Sequence, residues 1–197
     1  MRSYARLLLL VMAVLACRPC VSAAQPSRTG EPLRASRLGH AVSIDGVVAP
    51  GEWADASRVD TWYETSPGDN VAPPVRSVGY IAFDDHAFYA AFEFDDPAPR
   101  SIRAPLADHD HISGNTTDYG GVILDTRNDG HSAVLLLASA SGVQYGAVTD
   151  DDGSGEDSAP DFFWEAASRI TERGWTLELR VPFSSLRYRM EEPQTWG

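Results

Sequence analysis

From His40 onward, hydrophobic and polar positions alternate with a period of two along several short segments. The clearest example is a hairpin, in which residues 78–83 and 88–94 carry apolar side chains at alternate positions and 84–86 supply the turn. In the segment 175–181 the odd positions are Trp, Leu, Leu and Val, whereas the even positions are Thr, Glu and Arg. Because side chains alternate between the faces of a strand, this pattern predicts strands with one buried face and one solvated face.

Further strands are predicted at 120–124, 131–138, 143–148 and 162–168. Asn, Asp, Ser and Gly residues between these segments supply the turns, for example at 128–130. No helical period extends beyond about two turns, as at 101–106 and 183–186, where we expect only short turns of helix. Many short strands with turn residues between them predict an all-β fold, an antiparallel β-sandwich of the immunoglobulin-like or jelly-roll-like kind.

The amino-terminal segment predicts export from the cytoplasm. Residues 1–24 combine two early arginines, an apolar run from Leu7 to Ala16 and small residues before a cleavage site, as in a secretory signal peptide. An alternative is a lipobox at 14–17, which would leave Cys17 acylated. Residues 25–37 are predicted to be a linker and 38–197 the folded domain. The expected location is secreted or extracytoplasmic, in the periplasm or in association with the outer membrane.

The charge of the chain limits its partners. All 16 basic residues are arginine, and 28 acidic residues bring the net charge to −12. Removal of 1–24, which holds three arginines and no acid, would take the net charge to −15 and would also remove both cysteines. A chain this acidic is repelled by phosphate backbones, so nucleic-acid binding is excluded, and neutral ligands or divalent cations are favoured.

Several motifs follow one another in a definite order along 38–197. They are Ile44-Asp45-Gly46, Gly51-Glu52-Trp53, Tyr80-Ile81-Ala82-Phe83-Asp84-Asp85, Val122-Ile123-Leu124-Asp125-Thr126, Gly174-Trp175-Thr176-Leu177-Glu178, Val181-Pro182-Phe183 and Trp196-Gly197. In order and spacing they resemble the family 9 carbohydrate-binding module, in particular the version at the amino terminus of bacterial secreted proteins with a C-terminal outer-membrane-type barrel region. The resemblance implies a β-sandwich that binds a carbohydrate ligand and that associates with a downstream barrel region or the outer membrane. In relatives of this kind the chain continues past the Trp-Gly pair, so we expect a domain truncated at its carboxyl end.

Sugar binding requires aromatic faces for the apolar surfaces of pyranose rings and polar groups for the hydroxyls. Trp62 and Trp164 lie in predicted loops or at strand starts, so they are predicted to stack on sugar, with capping of the sandwich ends as the alternative. Trp53 and Trp175 fall at packing positions and are predicted to be core residues. Further candidates for the sugar site are Arg103, Tyr119, Asn128 and Gln144.

An acidic loop predicts a structural calcium site. Against the calcium-loop template, Asp150, Asp152 and Ser154 occupy positions one, three and five, and Asp161 occupies position twelve. Family 9 modules also resemble calcium-stabilised sandwiches. The alternative is an ordinary solvated loop. A thermal midpoint that responds to neither calcium nor chelator would exclude the site.

Catalysis is the weaker hypothesis, because the chain contains no nucleophile elbow, P-loop, HExxH or dinucleotide fingerprint. Glycoside hydrolysis needs two carboxylates about 5–10 Å apart, and with 28 acidic residues such a pair is uninformative in the sequence. The sequence therefore predicts a non-catalytic module of glycan metabolism. Two alternatives stay open, a part of a glycoside hydrolase and a periplasmic interaction or assembly domain of an outer-membrane protein. The sequence leaves the particular sugar and the oligomeric state open.

Overall fold

Ten β-strands and two single 3₁₀ turns make up the part of the chain that the computed structural model describes, residues 32–150 and 155–197. The strands are β1 (Ser36–Arg37), β2 (Ser57–Val59), β3 (Ser77–Phe83), β4 (Ala87–Asp95), β5 (Tyr119–Leu124), β6 (Ser132–Ser139), β7 (Gln144–Asp150), β8 (Glu156–Asp157), β9 (Glu165–Thr171) and β10 (Gly174–Pro182). The 3₁₀ turns span Pro99–Ser101 and Phe183–Ser185. The predicted all-β fold is confirmed. Within these residues no helix has the length and apolar character needed to span a bilayer. The predicted signal peptide, 1–24, lies outside the described residues.

The strands form two sheets. In the six-stranded sheet the order is β1-β3-β4-β10-β9, and β2 also pairs with β3. In the four-stranded sheet the order is β5-β6-β7-β8. All pairs are antiparallel except β1 with β3, which is parallel. The predicted hairpin is present as β3 and β4, with Phe83 opposite Phe88.

The main core lies between the two sheets, on what we call the inner face of the six-stranded sheet. Alternate residues of β4 and β10 supply most of it, as the period-two pattern predicts. Its buried members include Phe88, Ala90, Phe92, Leu124, Leu136, Ala138, Trp175, Leu177, Leu179 and Val181. Fully burying a side chain such as Leu177 stabilises the fold by roughly 1.5–3 kcal/mol, so this layer is the main source of stability.

The opposite, outer face of the six-stranded sheet is also covered, and the sequence prediction of a solvated face is wrong there. Residues 38–56 lie across it and bring Trp53, with 2% of its surface exposed, against Ala82, Tyr89 and Ala91. Beneath this segment the side chain of Glu178 is fully buried. The alternating pattern shows that position 178 is polar, but it does not show what packs over it.

Glu178 fastens the covering segment to the sheet. Its carboxylate accepts hydrogen bonds from the indole Nε1–H of Trp53 at 2.9 Å and from the backbone N–H groups of Asp45 and Gly46 at 3.0 and 2.8 Å. Burial raises the pKa of Glu178, although the three N–H groups act in the opposite direction. Gly46 has a φ of +80°, and a Cβ there would lie 3.0 Å from the carbonyl carbon of Ser168. The sequence motifs Ile44-Asp45-Gly46, Gly51-Glu52-Trp53 and Gly174-Trp175-Thr176-Leu177-Glu178 therefore meet at the carboxylate of Glu178.

Two predicted boundaries differ from the structure. Ser36 and Arg37, assigned to the linker, form β1 and pair with Ala82 and Phe83, so the sheet begins before residue 38. The strand predicted from Phe162 begins only at Glu165. Residues 158–164 connect β8 in one sheet to β9 in the other. Side chains bind some of the backbone groups of this connection, as when Ser185 donates to the carbonyl of Phe163.

Candidate functional site

A cavity of about 350 Å³ opens at one end of the sandwich. It lies where β4 ends and where β5 and β10 begin, and its volume falls within the roughly 300–1,000 Å³ typical of small-molecule sites. Phe94 and Trp175 line it with rings stacked at a centroid distance of 4.4 Å. Tyr119, which is 43% exposed, also lines the cavity. We call this space the end cavity.

The sequence of β5 explains how the Phe94 ring fits beneath this strand while Tyr119 stays exposed. Val122 and Leu124 pack toward the core, so alternation along the strand directs Tyr119 away from it. Gly120 lies between, and a Cβ there would come within 2.6 Å of the ring of Phe94. Only a glycine at position 120 leaves room for the Phe94 ring beneath β5.

Arg103 and Asp118 form the best-defined polar contact at the end cavity. Nε and Nη2 of Arg103 donate to Oδ1 of Asp118, and the backbone N–H of Arg103 donates to Oδ2 at 2.8 Å. Nη1 of Arg103 also donates to the carbonyl of Asn115 at 2.8 Å. Arg103 therefore holds the segment 115–118 in place directly before Tyr119, and about half of its side chain is exposed to solvent.

Two further carboxylates line the end cavity. The oxygens of Asp95 lie 3.4 Å from Arg76 and 3.3 Å from Arg173. Asp96 accepts a hydrogen bond from the backbone N–H of Ala98 at 2.6 Å, and its own N–H donates to the carbonyl of Arg173. Ionised carboxylates only accept hydrogen bonds and guanidinium groups only donate them. The rim can thus bind both the hydrogen and the oxygen of hydroxyl groups.

Of the six predicted sugar-site residues, the structure brings two together at the end cavity and leaves four apart from it. Arg103 and Tyr119 both line the end cavity. Gln144 begins β7, and its amide donates to the carbonyl of Trp164 at 3.4 Å. Tyr119 begins β5, whereas Asn128 lies in the turn that follows the other end of this strand and has a φ of +49°. Neither Gln144 nor Asn128 lines the end cavity.

The predicted stacking tryptophans do not line the end cavity either. Trp164 is only 6% exposed and belongs to the main core, so it presents no exposed ring face for the predicted stacking on sugar. Trp62 is half-buried and packs against Phe92 at a centroid distance of 6.2 Å. Trp53 and Trp175 are buried, which confirms their prediction as core residues, although Trp175 also lines the end cavity.

Sequence reasoning missed the acidic part of the site. Asp95 and Asp118 were not predicted to lie together, because 23 residues and a change of sheet separate them. A signal was nevertheless present, since the acidic pair Asp95-Asp96 stands at the end of β4 and Asp118 directly precedes β5. Strand ends that meet at one end of a sandwich are a common place for ligand-binding loops.

A smaller cavity of about 230 Å³ lies on the outer face of the six-stranded sheet. Trp53 and Tyr80 form its aromatic wall, and Arg58 and Glu93 are its charged residues. These polar groups already bind protein partners: Tyr80 donates to Glu93 at 2.9 Å, and Arg58 is paired with Asp60. The end cavity, with its exposed tyrosine, is the better candidate for a ligand site.

The predicted calcium loop is described only in part. Asp150 ends β7, whereas Asp152 and Ser154 lie outside the described residues. β8 runs back along β7 with Asp157 opposite Val148, which directs the chain away from Asp150 before it reaches Asp161. Among residues 32–150 and 155–197, no three His, Asp or Glu side chains gather as metal ligands. Calcium binding at this loop stays a prediction.

Comparison with known proteins shows a likeness of fold. No protein-family model matches the chain, and no curated protein matches its sequence. A family 9 carbohydrate-binding module from Caldicellulosiruptor kristjanssonii, solved in complex with glucose, is similar to 78% of this chain over 72% of its own, with a TM-score of 0.50 and 16% identity. A family 9 module from the same organism in complex with cellotriose has a TM-score of 0.49 and 16% identity over 75% of this chain. The chain spans 65% of that second module. The resemblance stated from the sequence is confirmed at the level of the β-sandwich fold.

Proposed function

We propose that this domain is a non-catalytic carbohydrate-binding module that holds a sugar ring in the end cavity. The observation that carries the proposal is that one cavity is lined by the partly exposed Tyr119, by the stacked rings of Phe94 and Trp175, by Arg103 and by three carboxylates. The likeness of fold to a module solved with glucose supports a sugar as the ligand.

The chemistry of the cavity suits a neutral sugar. The C–H faces of a pyranose are apolar and pack against aromatic rings, whereas its hydroxyl groups need both donors and acceptors. Asp95, Asp96 and Asp118 can accept hydrogen bonds from hydroxyls, and Arg103 can donate to their oxygens. The net charge of −12 disfavours sugars that carry carboxylates or sulfates.

The wider setting belongs to the same proposal. The predicted signal peptide supports an extracytoplasmic location, and the resemblance stated from the sequence supports a role in glycan metabolism in association with a downstream barrel region or the outer membrane. The acidic loop from Asp150 to Asp161 supports calcium as a structural cofactor, since hard oxygen ligands at this spacing suit that ion. The carboxylates of the end cavity are assigned to hydroxyl binding and not to catalysis.

Isothermal titration of the protein with neutral mono- and oligosaccharides, glucose and cello-oligosaccharides among them, tests the proposal. Tyr119→Ala should weaken sugar binding about tenfold or more, because it removes an aromatic contact worth about 0.5–1.5 kcal/mol in addition to the area that the ring buries. Tyr63→Ala is the matched control, since Tyr63 is 51% exposed and does not line the end cavity. Its affinity should equal that of the unchanged protein.

Two results would contradict the proposal. Sugar binding that is equally strong in Tyr119→Ala would exclude the end cavity as the site. Absence of binding to every sugar, from protein whose folding is verified by circular dichroism, would exclude the carbohydrate function and favour the alternative of an interaction or assembly domain.

A further inference from the structure

The outer face of the four-stranded sheet is apolar. Val122, Leu124 and Leu136 pack into the main core, so alternation places their neighbours in each strand on the opposite, outer face. Cross-strand partners on this face form two rows, with Gly121, Leu137 and Tyr145 in the first and Ile123, Leu135 and Ala147 in the second. None of these six residues is charged, and Ile123 is 63% exposed. We call the six residues the platform.

The platform is not used by the protein core. On the six-stranded sheet the outer face is apolar too, and the segment 38–56 covers it. Neither apolar cluster of the described residues includes a member of the platform. Contiguous apolar surface that the core of a protein does not use is typical of a binding site.

Tyr145 lies along the platform instead of standing upright on it. Its hydroxyl donates to Oε2 of Glu156, and Glu156 pairs with Thr149, four residues further along β7. Because Thr149 is about 13 Å from Tyr145 along the strand, the phenol ring has to extend along the sheet to reach Glu156. The ring therefore passes over Ala147, which is fully buried. The hydrogen bond to Glu156 and burial raise the pKa of Tyr145 to about 12, so its hydroxyl stays protonated and holds the ring in place.

The platform is continuous with the end cavity. Tyr119 lines the cavity and belongs to the same face of β5 as Gly121, two residues further on. A Cβ at position 121 would lie 2.1 Å from the carbonyl oxygen of Leu136, so only glycine fits there and no side chain separates the cavity from Leu137. From strand spacing and rise, the Cα atoms of Tyr119 and Tyr145 are about 12 Å apart, which is wider than one pyranose ring.

Polar groups border the far side of the platform. The backbone N–H of Asp110 donates to the carbonyl of Gln144 at 2.9 Å, and Oδ1 of Asp110 accepts a hydrogen bond from the N–H of Gly146 at 3.0 Å. These bonds hold Asp110 against the edge of β7 on both sides of Tyr145. The exposed imidazole of His109 contacts Asp110 through Nδ1 at 2.7 Å. An imidazole and a carboxylate together supply donors and acceptors for sugar hydroxyls.

We propose that the platform binds the further rings of a neutral oligosaccharide whose end ring occupies the end cavity. The inference rests on the proposed function and names its substrate class, a chain of several pyranoses instead of a single sugar. Flat pyranoses present apolar C–H faces along the chain, and these match a surface with an aromatic ring and no charge. The net charge of −12 again disfavours acidic glycans.

Isothermal titration with glucose, cellobiose and cellotetraose tests the inference. The unchanged protein should bind cellotetraose about tenfold or more tightly than glucose, because only the longer sugar reaches Tyr145. Tyr145→Ala should weaken cellotetraose binding about three- to tenfold and leave glucose binding unchanged. Tyr145→Phe keeps the ring and should retain most of the affinity for cellotetraose. Tyr63→Ala, at an exposed tyrosine outside the platform, is the matched control and should bind both sugars like the unchanged protein.

Nuclear magnetic resonance of the unchanged protein supplies a readout that needs no variant. The ring protons of Tyr145 and the methyl protons of Leu137 should shift when cellotetraose is added but not when glucose is added. The ring protons of Tyr119 should shift with both sugars, because Tyr119 lines the end cavity.

Several results would overturn the inference. Equal affinity for glucose and cellotetraose would exclude the platform and leave the end cavity as a site for one ring. A preference for cellotetraose that Tyr145→Ala retains in full, or a loss of glucose binding in that variant, would also contradict it. Platform signals that shift with protein concentration alone would show that a second copy covers the face instead. Absence of binding to every sugar would overturn the proposed function as well.

Discussion

The two faces of the six-stranded sheet are both buried, but different interactions hold what covers them. The inner face packs apolar residues of β4 and β10, such as Phe92, Leu177 and Leu179, against the second sheet. The outer face holds a fully buried carboxylate, Glu178, which binds three N–H groups of the segment that covers it. Apolar packing is non-directional, whereas a buried carboxylate is stable only when its partners are in place. The outer face should therefore be the more sensitive one to small chemical changes.

The largest effect is expected from Glu178→Leu. The substitution leaves the indole N–H of Trp53 and the backbone N–H groups of Asp45 and Gly46 buried without an acceptor, which should lower the free energy of unfolding by about 3–5 kcal/mol. Leu177→Met is the control on the inner face, where a volume-conserving exchange should cost less than about 1.5 kcal/mol. Urea unfolding followed by circular dichroism measures both. Equal losses would show that the two faces do not differ as described.

A smaller effect should distinguish two buried tryptophans. Trp53 is 2% exposed and donates to Glu178, whereas Trp164 is 6% exposed and its indole N–H has no hydrogen-bond partner among the described residues. Each Trp→Phe change removes similar volume, but only Trp53→Phe deprives a buried carboxylate of a donor. We expect Trp53→Phe to lose about 1–3 kcal/mol more than Trp164→Phe in urea unfolding. An equal or larger loss in Trp164→Phe would contradict the assigned role of the Trp53 contact.

The smallest effect is a dependence on pH. Because burial raises the pKa of Glu178 above its ordinary value of 4.5, the folded protein binds this proton more tightly than the unfolded chain does. The contribution of Glu178 to the free energy of unfolding should therefore fall as the pH rises from 4.5 to its raised pKa, and should be constant above it. The difference between the unchanged protein and Glu178→Gln, measured by urea unfolding at successive pH values, isolates this contribution. A difference that increases with pH in this interval would be inconsistent with a raised pKa.

Sequence reasoning succeeded where the relevant information is local. The hairpin of β3 and β4 and the burial of Trp175 were predicted from alternation along strands, and Trp53, which lies outside the strands, was predicted as a core residue from the segment around it. It failed for Trp164, because the connection between β8 and β9 carries this side chain into the core instead of leaving it exposed. A tryptophan outside a regular strand carries no periodic signal of its direction, so its burial depends on the path of the whole chain.

The candidate site was predictable only in pieces for the same reason. The sequence indicated Tyr119 as an aromatic candidate and Arg103 as a polar one, but it indicated Asn128 and Gln144 just as strongly. The order of the strands separates them, since Tyr119 begins β5 and Asn128 follows its opposite end. Gly120 was seen only as part of a strand, although it provides the space for the Phe94 ring.

By itself the sequence determined the fold class, the seven longer strands of the two sheets and the acidic, lysine-free composition, because side-chain direction in a strand and net charge follow from neighbouring residues and composition. Only the tertiary structure decided which polar residues are buried and which ones meet. The backbone N–H of Asp45 donates a hydrogen bond to the carboxylate of Glu178, 133 residues further along the chain. The end cavity likewise joins residues from both sheets. Such contacts depend on how the two sheets and the segment 38–56 pack together. Hydrophobic periodicity shows only which face of a strand a side chain lies on, not what packs against that face.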